Sequence, residues 1–503
     1  MPLAVLDAQI SLLGIAIQIE RWDGGSGSTA ISNGVLFGEG LVSAAAVAAR
    51  EIRVYLNGVE QSVYIEALDG RWPDGSIKAL LVQFSYSFTS PVTGHILLDQ
   101  GPRGTSDLTK QTLVSEPDAL IYPTSTTHLC NAYPFQPWDR IVPFASWPAG
   151  GAFDEYRARM EGDAPYAASG FEVFWNDASA LGAGQGYLIY GAAAYWMGKS
   201  QFAWFCMSGE AKYLYRGIYT VSRWLVDYAN PNLWVLPEPA AINIQDALFH
   251  YWLTGVDSSR LAPKTFLEHS NYTAANMASP SYSLNQGRIH SAHLQALVFG
   301  YHLGLANPTF DAAAGATWAL KAATWVDART TLQTASAALT APPEAVAGET
   351  GCNNYNDVAG AYYGYEGEQP WQVSLSDLAL AMYDEWVATD KASAIQTAIQ
   401  AHYDYIDPSH WRSSAKAWPI IDKRANGGTV PTNQDAPDLN AFVMGLTIAR
   451  LYRETSVAGL LTRGDSALEG LNASYWPLDN QGMKQMCEKA LGIPNYIAAR
   501  QGS

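Results

Sequence analysis

Three residues in the stretch GRIHSAHLQAL have the types and spacing for proton chemistry: Arg288, His290 and His293. An imidazole accepts a proton near neutral pH, and a guanidinium stabilises the carboxylate whose neighbouring carbon is to be deprotonated. On a helix His290 and His293 stand at i and i+3 and share one face, with Arg288 in or just before the first turn. The same two histidines serve equally well as packing or surface groups, so the spacing names a chemistry without proving it.

A second group of such residues lies in the stretch PPEAVAGETGCNNYNDVAGAYYGYEGEQPW, from Pro342 to Trp371. A loop of this length inside a compact domain is more often functional than idle. Asn353 and Asn354 supply amides that can neutralise a carboxylate, and Tyr355 supplies a phenol that can act as a base. Tyr362, Tyr363, Tyr365 and Trp371 add rings suited to hold a substrate. The catalytic candidates are therefore Tyr355, His290, His293, Arg288, Asn353 and Asn354, and the binding candidates Tyr362, Tyr363, Tyr365, Trp371, His250 and Asp246. His250 follows Asp246 at i+4 on a helical stretch, as its partner or as a satisfied core histidine.

Other chemistries find less support. A glycoside hydrolase needs two carboxylates a few ångströms apart, and Asp246, Glu349, Asp357, Glu366 and Glu368 are available without the sequence pairing any two. Asn356 with Asp357, and Asp435 with Asp438, lack the ligand spacing of an EF-hand, so no metal is expected. There is no G-x-G-x-x-G, Walker loop or G-x-S-x-G elbow, and no cofactor is expected either.

The elements that must position these groups change character along the 503 residues. Up to about residue 125, short β-prone runs such as IAIQIERW and EIRVYLNGVEQSVYIEAL alternate with Gly, Pro, Asn and Ser, the signature of a β-barrel or sandwich. Asn57-Gly58 between two such runs is a strong hairpin signal. In GRWPDGSIKALLVQF, Pro73, Asp74 and Gly75 set a tight turn before an apolar strand, the second arm of a hairpin, and the turn reads as structural. Residues 126–185 are dense in Pro and aromatics and read as an irregular connector.

From 186 to 503, Ala- and Leu-rich helical windows are separated by Gly, Pro and Asn breaks. Several end alike, as in AYWMGKS, HYWLTGVD, GYHLGLANP and MYDEWVATDK, and Phe249, Tyr251 and Leu253 recur as Phe299, Tyr301 and Leu303. Such a repeat, about one helical hairpin long, suggests roughly five or six hairpins and an (α/α) toroid in preference to an open solenoid. The expected fold is thus multidomain α+β, a β-barrel or sandwich followed by an α/α toroid.

Composition bounds the partners. A net charge of −17 and a pI near 4.9 argue against nucleic acid and anionic membrane, which require a basic footprint. The 17 Trp and 28 Tyr are chiefly core material, and are also compatible with stacking on sugar faces. Cys130, Cys206, Cys352 and Cys487 form no C-x-x-C pair, so neither a zinc site nor a disulfide framework is suggested. The N-terminal stretch MPLAVLDAQISLLGIAIQIE lacks a basic start and reads as no signal peptide, and no run is long enough for a membrane helix.

The order GVLFGEG, VYLNGVEQSVYIEAL and RWPDGSIKALLVQF, together with FHYWLTGVDSSR further on, resembles the exo-acting rhamnogalacturonan lyase-like family. The resemblance covers part of the β region and the helical texture, and it departs from the family pattern at Leu36 and Ala79. It implies an N-terminal RIFT-barrel domain, an α/α toroid, and cleavage of a uronate-containing polysaccharide by β-elimination. An acidic, Tyr-rich chain without a secretion signal also suits a bacteriophage virion protein that binds host glycan or is structural, located in the virion or outside the cell after release, with other virion proteins or further copies of itself as partners.

Overall fold

The computed structural model describes residues 14–22, 24–98, 101–163, 165–166, 171, 175, 197–226, 244–269, 287–306, 314–337, 370–407, 411–418, 437–474 and 492–502. It is a mixed α+β protein, with antiparallel sheets at the N-terminal end followed by a helical region.

Among the described residues eight strands run through the first part: β1 Ile15–Arg21, β2 Gly27–Leu36, β3 Arg53–Leu56, β4 Val59–Glu60, β5 Tyr64–Ala67, β6 Ala79–Phe88, β7 Val92–Leu97 and β8 Ala119–Pro123. They form a five-stranded sheet, β4-β3-β7-β1-β8, and a three-stranded sheet, β2-β6-β5. The Asn57-Gly58 turn joins β3 to β4 with Leu56 opposite Val59, and both turn residues take positive φ, 49° and 74°. Asn and Gly are the residues that tolerate this backbone, which matches the twist of the flanking strands.

The apolar run of β6 carries no polar alternation because both of its faces are covered. Leu80, Val82 and Phe84 point into the core between the sheets with Ile17, Ile31 and Val35. Ala79 and Leu81 point the other way, into the core shared with the helices. Asn33 links the two sheets: its amide accepts from the Ile121 N–H at 3.0 Å and donates to the Ile121 carbonyl at 2.9 Å.

The segment after β8 is less irregular than its Pro and Trp content suggests. It holds α2 Thr126–Asn131, capped by the Ser125 hydroxyl, and α3 Gly151–Glu161, ended by Gly162 in the left-handed conformation; α1 Ala44–Ala48 precedes both. The i,i+4 pairs Arg157–Glu161 (3.0 Å) and Arg159–Glu155 (2.7 Å) support α3, a helical signal that the surrounding prolines obscure.

Buried and amphipathic helices then alternate along the chain. In α4 (Met197–Ser208) all but the last residue is buried, and in α6 (Ile244–Thr254) every residue is. Between them α5 (Ala211–Trp224) buries one face and leaves the other half-buried. The pattern continues with α7 Ala262–His269, α8 Gly287–Ala306, α9 Ala314–Ala337, α10 Pro370–Trp386 and α11 Ala392–Ile406. It ends with Asn440–Phe442, which runs through the π-helical Val443–Ile448 into Ala449–Thr455, then α12 Ala458–Ala473 and a helix over 492–500. α8 packs on α9 and α10, and α9 packs on α11.

The sheets and the helices are in direct backbone contact. A Cβ added to Gly34 in β2 would lie 1.8 Å from the Trp252 carbonyl oxygen in α6, so only glycine allows this approach. The Trp252 indole donates to the Asp69 carbonyl at 2.7 Å, and the Tyr251 hydroxyl accepts from the Asp69 N–H at 2.8 Å.

Candidate functional site

The turn of GRWPDGS is built from its own residues. Asp74 Oδ1 accepts from the Ser76 N–H (2.9 Å) and hydroxyl (2.6 Å), Gly75 takes φ +86°, and Arg71 pairs with Ile77 across the base. Its outer side then meets the C-terminal ends of α8 and α10. Between them lies a cavity of about 380 Å³, lined by Arg71, Trp72 and Pro73 from the turn, His302 from α8, and Asp384 to Thr389 from the end of α10. A volume of this size suits a small ligand or one or two units of a polymer.

Lys78, just beyond the turn, is completely buried and holds the cavity's aromatic wall. Its ammonium donates to the Pro134 carbonyl at 2.8 Å and lies 3.8 Å from the Trp386 ring centroid, 4.5 Å from Trp72 and 5.4 Å from Trp252. Burial lowers its pKa well below the ordinary lysine value, and the Glu39 carboxylate acts in the opposite sense. Trp72 and Trp386 are fixed by their own donors, Trp72 to the Phe37 carbonyl (2.9 Å) and Trp386 to the Gln136 carbonyl (3.0 Å).

His302 stacks on Trp386, with centroids 4.4 Å apart and planes 21° from parallel. Burial, then the positive charges of Lys78 and Arg71, hold its pKa well below the usual histidine value, so the ring is neutral at pH 7. Its Nε2 is buried and has no hydrogen-bond partner among the described residues.

Arg71 Nη1 donates to the Leu68 carbonyl (2.6 Å) and the Gly70 carbonyl (2.8 Å), while the adjacent Asp69 pairs with Arg260 at 2.9 Å. The opposite wall is acidic but committed: Arg450 binds Asp384 at 2.7 Å, Glu385 at 2.5 Å and Glu454 at 2.8 Å. The cavity wall thus brings together a guanidinium, a neutral imidazole and an aromatic face.

Those residues singled out in the sequence that the structure describes lie elsewhere. His290 and His293 do share a face of α8, and that face is closed: both rings lie against Trp325 of α9, at 5.3 Å and 5.4 Å, and His293 also against Phe266 at 5.0 Å. Burial, with Arg329 next, holds the His290 pKa well below the usual value. Arg288 stands in the first turn of α8. Asp246 accepts from the Gly198 N–H (2.9 Å) and the Lys199 N–H (2.6 Å) and so caps the start of α4. His250 meets Ser259 Oγ at 2.8 Å through Nδ1 and the Ser115 carbonyl at 3.3 Å through Nε2. Trp371 is buried against Phe442. Asn353, Asn354, Tyr355, Tyr362, Tyr363 and Tyr365 lie outside the described residues.

Polar side chains also tie the buried helices together. Lys199 pairs with Asp139 at 2.5 Å and donates to Gln245 at 2.6 Å; Gln245 donates to Gln295 at 2.7 Å, Gln295 to Ser291 at 2.8 Å, and Ser291 to the Leu375 carbonyl at 2.7 Å. On α10, Asp377 accepts from Thr447 and Gln333, each at 2.7 Å, and meets His402 Nδ1 at 2.8 Å. Buried polar groups satisfied in this way specify one arrangement of the helices.

Arg71, His302 and Trp386 escape a reading by sequence because they stand in three distant segments. The signals were present as a turn motif and two aromatic helix endings, GYHLG and MYDEW. Among the described residues no group of three or more His, Cys, Asp or Glu gathers as a metal site, and no helix is long and apolar enough to cross a membrane. Comparison with family models, curated proteins and solved structures returns no match.

Proposed function

We propose that this protein engages a uronate-containing polysaccharide in the cavity beside the GRWPDGS turn and cleaves it by β-elimination. The observation that carries this reading is the neutral His302 imidazole beside Arg71 in one cavity with an aromatic wall. Arg71 neutralises the uronate carboxylate, which makes the adjacent C–H acidic. His302 takes that proton, the C–H electron pair becomes the carbon–carbon double bond in the ring, and the glycosidic oxygen leaves with the C–O bonding pair and is protonated by water. The substrate carboxylate offsets part of the positive field of Arg71 and Lys78, which raises the basicity of His302 as the substrate binds. Trp386 and Trp72 supply sugar-stacking surface.

The resemblance to the exo-acting rhamnogalacturonan lyase-like family belongs to the same proposal, with the two sheets as a RIFT-type barrel and the helices as an α/α toroid. The alternation of wholly buried with amphipathic helices supports the toroid. A hydrolase is less well supported, since Asp384 and Glu385 are both tied to Arg450.

A second reading is a non-catalytic virion protein that binds host glycan through this cavity or keeps the fold for structure. It is favoured by the enclosure of His302, which is only 8% exposed. The test is incubation with a panel of uronate-containing polysaccharides, including rhamnogalacturonan and bacterial capsules, followed by ultraviolet absorbance of the unsaturated uronate. A rise that disappears in His302→Gln supports the lyase, whereas binding with no rise supports the second reading.

A further inference from the structure

A second cavity, of about 520 Å³, opens between the C-terminal end of α11 and the first turns of α12. The turn that leads into α11 lines the junction cavity at Thr389, and the 15 residues of α11 span roughly 20 Å. Arg463 Nε lies 2.6 Å from Asp407 Oδ1, and Tyr403 donates its hydroxyl to Asp407 Oδ2 at 3.3 Å. The Arg463 guanidinium also lies over the Trp411 ring, 4.3 Å from its centroid, so its position is set from two sides.

The pair leaves this cavity without net charge, which removes the preference for a uronate carboxylate or a cation. It offers the remaining donors of Arg463 beside the Asp407 carboxylate, with the hydroxyls of Thr462 and Ser466 carried on the same helix as Arg463. Vicinal hydroxyls, each both donor and acceptor, fit such a pair in a bidentate manner. Val457, 54% exposed at the rim, provides the apolar contact that the C–H face or methyl group of a sugar requires.

We infer that this cavity is a carbohydrate subsite for a neutral pyranose unit, separate from the junction cavity. The inference rests on the glycan reading above and extends it: a polymer bound at both places gains affinity through effective concentration, without new chemistry.

The experiment is saturation-transfer NMR of the full chain with a panel of neutral disaccharides of glucose, galactose and rhamnose, and separately with a uronate oligosaccharide. Thr462→Trp, at an exposed helix position, fills the cavity, and Arg71→Ala disables the junction cavity. The expected result is neutral-disaccharide binding that weakens at least about tenfold in Thr462→Trp and persists in Arg71→Ala. Neutral binding unchanged by Thr462→Trp, or absent while the uronate oligosaccharide binds, overturns the subsite and leaves the junction reading standing. Neutral binding lost in Thr462→Trp with no uronate binding anywhere supports the subsite and overturns the junction reading. No binding of either probe overturns both.

Discussion

The Lys78 ammonium lies 3.8 Å from the centroid of the Trp386 ring, and that ring stacks on His302 at 4.4 Å. A residue at the start of a β-strand thereby sets the position and the electrostatic surroundings of a histidine on a helix more than two hundred residues away in sequence. Lys78→Met removes the charge that disfavours the imidazolium. The His302 pKa is expected to move up toward the ordinary value, read as a shifted titration of the ring nitrogens by NMR. The Pro134 carbonyl loses its donor, with a stability loss of about 1–3 kcal/mol. An unshifted His302 titration would show that the lysine is only a packing group.

Activity separates the two polar groups of the junction cavity. Arg71→Ala is expected to raise KM and lower kcat by about a hundredfold or more, because the carboxylate is neutralised more strongly as charge develops. His302→Gln is expected to lower kcat with KM nearly unchanged, since it removes the proton acceptor and retains the ring-sized polar group. Equal effects of both variants on KM alone would assign these residues to binding without chemistry.

Gly34→Ala is expected to destabilise the protein by about 3 kcal/mol or more, because the added methyl meets a backbone oxygen that cannot move aside. Gly459→Ala, where nothing lies within 4 Å in the first turn of α12, is expected to be neutral or slightly stabilising. Chemical denaturation of the two variants gives the contrast directly.

His250 makes folding sensitive to acid. Burial lowers its pKa to about 4 from 6.5, and its neutral form donates from Nε2 to the Ser115 carbonyl while Nδ1 accepts from Ser259. Below pH 6.5 the unfolded chain takes up a proton that the folded protein refuses until about pH 4. The stability contributed by this residue is complete above pH 6.5 and falls by roughly 3 kcal/mol as the pH drops to about 4. Unfolding free energies measured across this window should show a shallower slope for His250→Gln, and an unchanged slope would place the acid sensitivity in other groups.

Local chemistry alone determined the parts of this protein that depend on a few neighbouring residues. The Asn57-Gly58 hairpin, the turn of Pro73, Asp74 and Gly75, and the strand that follows it were legible because Gly, Pro, Asn and Asp restrict the backbone wherever they occur. The succession of a β-rich part and a helical part was legible in the same way. The helix α3 was not, since its ion pairs stand among prolines and tryptophans that signal irregular chain.

What a side chain faces is decided by elements that the sequence places far away. The i,i+3 spacing of His290 and His293 fixed their common face, but only the packing of α9 put Trp325 over it. Conversely, the turn of GRWPDGS has a complete structural explanation in its own hydrogen bonds, yet its outer side becomes a cavity wall when α8 and α10 end against it. Tertiary structure alone decided that Arg71, His302 and Trp386 would meet, because burial of apolar surface sets how sheets and helices dock and acts without regard to distance along the chain.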